Sequence, residues 1–285
     1  MVGVFSTPIL LIVFNRPDIT QRVFDSIRQA RPRQLFVAAD APRANISGER
    51  ELCEETRYIA TSIDWDCQVH TLFRDQNLGC GLGVSSAITW FFENVEEGII
   101  LEDDCLPNPT FFHFCEELLN YYRYSQIIMH VSGNNFLYGK KRGNASYYFS
   151  NYTYNWGWAT WRRAWKFYEY HPTDEVHRLG EWDCQWRATV AQHGGLAVLP
   201  NVNLVTNIGC GREDATHSTF VDRHYANLPA CPILFPIVHS DKFKSSDWYT
   251  DYSPFIQEDR TPMDAIKHVL TIRIDKLRKK LKSII

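Results

Sequence analysis

Short apolar runs alternate with segments of helical periodicity over the first half of the chain. Four helices are predicted. The first starts at Asp18, with Gln21 in capping-box spacing, and the second starts at about residue 48. The third follows a Gly-rich turn at 77–83, and the fourth starts at Pro109 with Asn108 as cap. The predicted strands are residues 9–14, 35–39, 69–73, 98–101 and 127–131. This alternation predicts an α/β fold with a mostly parallel central sheet flanked by helices.

The second half has a different pattern. Aromatic residues crowd the stretch 147–158, and Trp161 and Trp165, four residues apart, predict a helix over 160–168. A further helix is predicted over 182–193, because Gly194-Gly195 is a typical helix stop. Short strands near 196–199 and 202–205 and a polar loop over 208–218 complete the prediction.

Polar side chains follow several of the predicted strands directly. They are Asn15, Arg16, Asp40, Asn134 and the acidic triplet Glu102-Asp103-Asp104. The carboxyl ends of parallel strands meet at one edge of a sheet, where ligands of open α/β sheets bind. Three adjacent carboxylates repel one another unless a cation lies among them, and Mg²⁺ or Mn²⁺ binds carboxylate and phosphate oxygens together. The triplet therefore indicates a metal–diphosphate site, and a solvated acidic turn is the alternative.

Composition restricts the class of protein. Of 285 residues, 45% are hydrophobic, 14% are aromatic and 22% are charged, as in globular domains. The net charge of −3 gives no support for nucleic-acid binding. Eight cysteines without a CxxC pair argue against a zinc ribbon or a thioredoxin-type site. The N-terminal residues have neither the basic region nor the cleavage site of a signal peptide, so we expect a cytoplasmic protein.

The C-terminal segment 264–285 has the pattern of a basic amphipathic helix. Its apolar face is formed by Ile266, Leu270, Ile274, Leu277, Leu281 and Ile284, and Lys and Arg residues occupy much of the rest. Two interpretations stay open. The helix binds a membrane surface at the inner face of the membrane, or it docks on its own domain and leaves the basic face in water.

Three blocks of the chain together resemble glycosyltransferases of the GT-A fold. They are Leu101-Glu102-Asp103-Asp104 with Pro109, Phe111 and Phe112, then Val131 to Asn135, and then Asn155-Trp156-Gly157-Trp158 with Trp182 to Trp186 and the loop ending at His217. In order and rough spacing, residues 8 to 220 are similar to the N-acetylglucosaminyltransferase I family and its bacterial relatives in surface-polysaccharide synthesis. The resemblance implies a GT-A (Rossmann-like) fold with an aromatic-rich lobe on the acceptor side.

The resemblance also implies roles for individual residues. Asp104 would bind Mn²⁺ (or Mg²⁺), Asp103 the ribose, Glu102 the sugar, and Asp40 the uracil ring. Asp183 would be the catalytic base, although Cys184 stands where a second acid is expected, and Asp174, Glu175, Glu181 and Asp214 are rivals for that role. The remaining assignments are Phe14, Asn15, Arg16, Arg43 and Asn77 at the donor nucleotide, Trp156, Gly157 and Trp158 at the acceptor, and His217 in the diphosphate loop.

Each of these residues also has a simpler interpretation. Indole rings stack on sugars, but they equally fill cores, and this alternative applies to Trp156 and Trp158. Arg16 and Arg43 could form surface salt bridges, and a lone loop histidine such as His217 is commonly solvated.

We therefore expect a metal-dependent glycosyltransferase, inverting, that moves a sugar from a UDP-sugar to a glycan or lipid-linked acceptor. The expected organisation is a nucleotide-sugar half (1–135), an acceptor half of the same domain (136–262) and the C-terminal helix (263–285). A sugar nucleotidyltransferase and a non-catalytic carbohydrate-binding protein are the alternatives.

Overall fold

The computed structural model describes residues 5–171, 182–212 and 228–240. By its internal contacts the chain divides into a unit of Met1–Ser245 and a unit of Ser246–Ile285. All of the described residues belong to the first unit. The C-terminal helix and the predicted boundary at 262/263 lie outside the described residues and stay predictions.

A central eight-stranded sheet organises the first unit. Its strand order is β3-β2-β1-β4-β8-β6-β9-β7, and β5 and β10 form a separate antiparallel pair. All of the large-sheet strands run in one direction except β8 and β7, which are antiparallel to their neighbours. The strands are β1 (Ile9–Val13), β2 (Gln34–Ala39), β3 (Gln68–Phe73), β4 (Glu97–Glu102), β5 (Cys105–Pro107), β6 (Ile128–Ser132), β7 (Tyr147–Ser150), β8 (Trp158–Trp161), β9 (Leu196–Pro200) and β10 (Val205–Asn207).

Helices cover both faces of this sheet. The helices are α1 (Pro17–Ala30), α2 (Glu49–Thr61), α3 (Gly79–Asn94), α4 (Thr110–Tyr121), α5 (Arg162–Trp165) and α6 (Trp182–Gln192). Alternate residues of each strand point to opposite faces, so Leu11 and Val37 pack with α1, α2 and α4, while Leu10 and Phe36 pack with α3, α5 and α6. The two cores explain why the strands are apolar without alternation. The predicted α/β fold with a mostly parallel sheet between helices is confirmed.

The predicted helix over 160–168 is wrong. Trp158–Trp161 is strand β8, which lies between β4 and β6, and only Arg162–Trp165 is helical. Trp161 packs on the α4 side of the sheet, and its indole nitrogen donates to the Leu119 carbonyl at 3.2 Å, whereas Trp165 packs on the α3 side. Their spacing of four residues therefore does not place them on one face of a helix.

Smaller differences concern where elements begin. Helix α1 starts at Pro17 after Arg16, and Asp18 does not cap it but pairs with Arg212 at 2.7 Å. Helix α4 begins at Thr110, where the Asn108 side chain accepts from the Thr110 backbone N–H at 3.1 Å. All three Gly residues of the predicted turn over 77–83 lie inside the first turns of α3. Strand β5 was not predicted, and its partner β10 spans Val205–Asn207 instead of 202–205.

Among the residues that the structure describes, no helix combines the length and the apolar character that crossing a bilayer requires. The predicted membrane contact of segment 264–285 is not addressed by these residues.

Candidate functional site

A cavity of about 690 Å³ opens beyond the carboxyl ends of β1, β2 and β4. The strand order reverses there, because the chain passes from β1 to β2 and β3 on one side and then to β4 on the other. Such a topological switch point is where open α/β sheets bind ligands. The fold alone therefore selects this cavity as the candidate site.

Most of the predicted site residues line this one cavity. Its walls include Phe14, Asn15, Arg16, Asp40, Arg43, Asn77, Glu102, Asp103, Asp104, Trp156 and Asp183. We call the wall formed by Asn15, Asp40, Arg43 and Asn77 the β2 side. We call the wall formed by Arg16, Glu102, Asp103, Asp104, Trp156 and Asp183 the β4 side.

A buried carboxylate, Glu49, organises the β2 side. Its side chain is 1% exposed and accepts from Asn15 Nδ2 at 2.9 Å and from the Arg43 backbone N–H at 2.6 Å. The Arg43 guanidinium also donates to it, through Nε at 3.0 Å and Nη2 at 2.5 Å, and lies over the Phe14 ring. Hydrogen bonds from Arg43 lower the pKa of Glu49 despite its burial. Glu49 thus fixes Asn15 and Arg43 against each other.

Asp40 has a structural role at the start of α3. Its carboxylate accepts the backbone N–H groups of Leu78 at 2.9 Å, Gly79 at 2.9 Å and Ala41 at 2.9 Å. An acid at a helix N-terminus satisfies donors that have no partner within the helix and interacts favourably with its dipole. These three donors leave roughly one of the four or so lone-pair positions of the carboxylate for a ligand. The contact to a uracil ring stays a prediction.

Asn77 lies beside Asp40 on the same wall. Its side-chain Nδ2 donates to the Ala41 carbonyl at 2.7 Å, so the amide oxygen is the end of the side chain that can accept from a ligand.

Arg16 pairs with two acids of the β4 side at once. Its Nη2 contacts Asp103 Oδ1 and lies 3.2 Å from Asp104 Oδ2, while its Nε donates to Asp103 Oδ2 at 3.3 Å. The side chains are 16% (Arg16), 4% (Asp103) and 18% (Asp104) exposed. Helix α1 begins directly after Arg16 and so holds it at the end of β1, beside the end of β4.

One guanidinium does not compensate three acids. Burial raises the pKa of Glu102 to about 8, with repulsion from Asp104, Asp103 and Asp183 adding to it and Arg16 opposing it. Burial also raises the pKa of Asp103 to about 6, although Arg16 again opposes the change. Burial alone would lower the pKa of Arg16, but the charges of Asp103 and Asp104 raise it overall. The acids of the β4 side are therefore short of positive charge, and a bound cation would stabilise their ionised forms.

The β5–β10 ribbon brings a further backbone segment to the acids. Strand β10 pairs with the strand that follows Asp104, and the Ile208 N–H donates to the Asp104 carbonyl at 2.8 Å. A Cβ atom at Gly209 would lie 2.6 Å from Asp104 Oδ2 and 2.9 Å from Arg16 Nη1. Glycine is therefore required here, because the backbone passes directly against the Arg16–Asp104 pair.

Asp183 and Trp156 complete the β4 side. Asp183 lies in the first turn of α6, next to the buried Trp182. Its half-buried carboxylate accepts a hydrogen bond from the backbone N–H of Cys184 at 2.7 Å. Trp156 is half-buried and packs edge-on against Phe136 with ring centroids 5.3 Å apart. A carboxylate and an indole therefore border the same cavity as the acid triplet.

The other two predicted acceptor residues do not line the cavity. Trp158 is fully buried, stacked on His130 with centroids 5.0 Å apart, so its ring offers no face to a sugar. Of the two interpretations of Trp158, the structure shows the core-filling one. Gly157 is buried against Val205, where an added Cβ would lie 2.7 Å from Val205 Cγ2. His217 and the rival acids Asp174, Glu175, Glu181 and Asp214 lie outside the described residues.

Asp104 suits a divalent cation in donor type. Carboxylate oxygens are the ligands that Mg²⁺ and Mn²⁺ prefer, and Asp104 faces the cavity. Over 5–171, 182–212 and 228–240, however, no group of three His, Cys, Asp or Glu side chains is arranged to hold a metal ion. An ion at Asp104 would accordingly need oxygens from a ligand or from water, as Mg²⁺ commonly takes from phosphates.

Sequence reasoning missed several residues that line or support the cavity. Glu49 gave no signal because an acid at a helix start looks solvated. Arg74 follows β3 and was visible as a polar strand end, in the same way as Asp40. Tyr170, whose hydroxyl lies against Gly81, gave no signal of its contact across the chain.

Comparison with known proteins adds a distant likeness. No family model matches the chain, and no curated protein matches it. Among solved structures the chain is similar to a UDP-glucose pyrophosphorylase complexed with UDP-glucose, with 9% identity and a TM-score of 0.40. The match covers 68% of this chain and 89% of that chain. At this identity and TM-score the likeness assigns no function, and membership of the N-acetylglucosaminyltransferase I family stays a prediction.

Proposed function

We propose that the protein is a metal-dependent glycosyltransferase that moves a sugar from a nucleotide-sugar, a UDP-sugar, to a hydroxyl of a glycan or lipid-linked acceptor. The observation that carries the proposal is the cavity itself, which joins three arginines (Arg16, Arg43 and Arg74), the acids at the end of β4 and the separate carboxylate of Asp183. This combination offers positive charge for a diphosphate, oxygen donors for a cation and a base for an acceptor.

The two sides of the cavity suit the two halves of such a substrate. On the β2 side, Asn15, Asp40 and Asn77 present hydrogen-bonding groups beside the Phe14 ring, which suits a nucleoside. On the β4 side, Arg16 suits a diphosphate and Trp156 suits the apolar face of a sugar.

Asp183 supports transfer to a hydroxyl in particular. In the proposed reaction the acceptor oxygen attacks the anomeric carbon, and the bond from that carbon to the diphosphate oxygen breaks. The bonding electrons stay on the nucleoside diphosphate, and the hydroxyl proton passes to the Asp183 carboxylate. A divalent ion bound with Asp104 would supply Lewis-acid stabilisation of the leaving diphosphate. Because one displacement is involved, the sugar configuration would invert.

The loop after β1 favours this reaction over nucleotidyl transfer. Only Phe14, Asn15 and Arg16 separate β1 from α1. Sugar nucleotidyltransferases usually carry a Gly-rich loop with Arg or Lys residues after the first strand, and these three residues contain no glycine.

The test is calorimetric titration of the full chain with UDP, GDP, CMP and dTDP, with and without Mn²⁺. We expect UDP to bind with Mn²⁺ and to lose at least tenfold in affinity in Asp104→Asn. The exposed Asp66→Asn is the matched control and should bind as the unaltered protein does.

Two results would contradict the proposal. Failure of every nucleotide to bind would favour the carbohydrate-binding alternative. Release of pyrophosphate from UTP and a sugar 1-phosphate, without sugar transfer from any UDP-sugar, would favour the nucleotidyltransferase.

A further inference from the structure

We propose that Arg16 is the counter-cation of the β4-side acids in the absence of ligand. Arg16 releases Asp104 to a divalent ion only when a nucleoside diphosphate binds, so that metal and nucleotide bind together. The nucleotide part of this inference rests on the proposed function. The part that concerns Arg16 and the metal alone does not.

Both carboxylate oxygens of Asp104 already have partners. Oδ2 lies 3.2 Å from Arg16 Nη2, and Oδ1 lies 3.4 Å from the Cys105 thiol. An ion bound to Oδ2 at a distance of about 2.1 Å would lie within roughly 5 Å of the guanidinium nitrogen. A divalent cation is repelled by a positive charge at that range, so the Arg16 contact opposes binding of the metal alone.

The ion pair is also confined. The Gly209 backbone passes close enough to Asp104 and Arg16 to leave no room for a Cβ atom. Asp103, which Arg16 also contacts, is 3% exposed. The Arg16 side chain is therefore held against the acids. A ligand reaches Arg16 through the cavity, which Arg16 lines.

A diphosphate removes both obstacles at once. The described side chains do not supply three ligands for a metal ion, and the diphosphate oxygens would supply the missing ones. They would also give the Arg16 fork a new anionic partner, since guanidinium binds phosphate bidentately. The affinities of metal and nucleotide should therefore be coupled, and the coupling must be reciprocal.

The experiment measures free Mn²⁺ by electron paramagnetic resonance while the full chain is titrated, with and without UDP. For the unaltered protein we expect Mn²⁺ affinity to rise at least tenfold when UDP is present. For Arg16→Met we expect Mn²⁺ alone to bind at least tenfold more tightly than it binds the unaltered protein, and UDP to add less. Arg123→Met is the matched control, because Arg123 pairs with Glu97 at the opposite end of β4, and its Mn²⁺ affinity should not change.

Equal Mn²⁺ affinity of Arg16→Met and the unaltered protein in the absence of UDP would overturn the inference. Absence of any UDP effect on Mn²⁺ affinity in the unaltered protein would overturn the joint entry of metal and nucleotide. Failure of UDP to bind any form would instead count against the proposed function, and the Mn²⁺-only comparison would still decide the role of Arg16. If circular dichroism shows that Arg16→Met is unfolded, Arg16→Gln, which keeps an amide donor toward Asp103, carries the same expectation.

Discussion

The two sides of the cavity treat buried carboxylates in opposite ways. On the β2 side, Glu49 is buried, yet its pKa is lowered because Asn15 and Arg43 direct several donors at one carboxylate. On the β4 side, Glu102 and Asp103 share one guanidinium with Asp104, and burial raises the pKa of both. The protein's own donors stabilise the ionised carboxylate of the β2 side, whereas the acids of the β4 side lack positive charge that a bound cation can supply.

This difference separates binding from reaction. Side chains that are already paired form a rigid surface, which suits recognition of a nucleoside. Carboxylates that are short of positive charge suit a place where a cation arrives and where a proton is taken. The comparison predicts that substitutions on the β2 side change nucleotide affinity but not turnover, whereas the residue whose substitution slows turnover most, Asp183, lies on the β4 side.

Asp183→Asn should give the largest effect. The amide keeps the shape of the side chain but cannot accept a proton, so turnover should fall roughly 10²- to 10⁴-fold, the range typical of a lost general base. Nucleotide affinity should stay within about twofold. Steady-state rates and calorimetry on the same preparation measure the two quantities, and the exposed Glu169→Gln serves as control. Near-normal turnover would exclude Asp183 as the base.

Trp158→Ala and Trp156→Ala should differ in kind. Trp158 is fully buried among His130 and three other tryptophans, so its truncation should lower the free energy of unfolding by roughly 3–5 kcal/mol. Trp156 is half-buried at the cavity, so its truncation should cost less stability and raise the acceptor concentration needed for half-maximal rate severalfold. Denaturant titrations and acceptor saturation curves test this pair. The reverse pattern would mean that Trp158, not Trp156, borders the site.

The tryptophans also show what sequence patterning can and cannot predict. The parallel sheet follows from apolar runs such as Ile9–Val13, because a strand buried on both faces requires them. Trp158–Trp161 could not be assigned in this way. Its neighbours in the sheet come from β4 and β6, about 60 and 30 residues earlier in the chain, and a spacing of four between tryptophans imitates a helix.

The site shows the same limit. Polar residues at strand ends predicted most of the cavity wall, since the carboxyl ends of parallel strands share an edge. The partners of those residues were not predictable, because Glu49 and Gly209 act through contacts between distant parts of the chain. Patterning thus indicates where a site lies, and only the three-dimensional arrangement shows which of its charges are already compensated.

Acid should destabilise the core around His130. His130 is fully buried, and its Nδ1 accepts a hydrogen bond from Trp186 Nε1 at 3.2 Å. The proton of the neutral ring is therefore on Nε2, which donates to the Tyr154 carbonyl at 3.1 Å. Both ring nitrogens thus have a partner in the neutral form. Burial lowers the pKa of His130 to about 3. Below the unfolded value of about 6.5, the unfolded chain therefore binds a proton that the folded protein does not, and stability falls as pH falls.

Between pH 6.5 and 5 this linkage should lower the free energy of unfolding by about 2 kcal/mol. Urea titrations across this range give the free energy of unfolding of the unaltered protein and of His130→Gln. The difference between the two pH dependences reports His130, because the titration of all other groups is common to both proteins and cancels. His113→Gln, at an exposed histidine, should keep the full pH dependence. Parallel curves for His130→Gln and the unaltered protein would contradict the prediction.

Glu49→Gln should give the smallest effect, and it tests the comparison most directly. The amide keeps the size of the side chain but has one acceptor oxygen in place of two, so part of the donors of Asn15 and Arg43 lose their partner, and the remaining hydrogen bonds lack the charge of the carboxylate. Because the Arg43 side chain is 47% exposed, water recovers part of the loss. We expect nucleotide affinity to fall roughly tenfold, the equivalent of about 1.4 kcal/mol, while turnover at saturating donor stays within about twofold. Glu51→Gln, exposed on the same helix, should change neither quantity. A loss of turnover as large as that of Asp183→Asn would show that the two sides do not divide binding from reaction. A group that only positions nucleotide contacts should not lower turnover to that extent when the enzyme is saturated with donor.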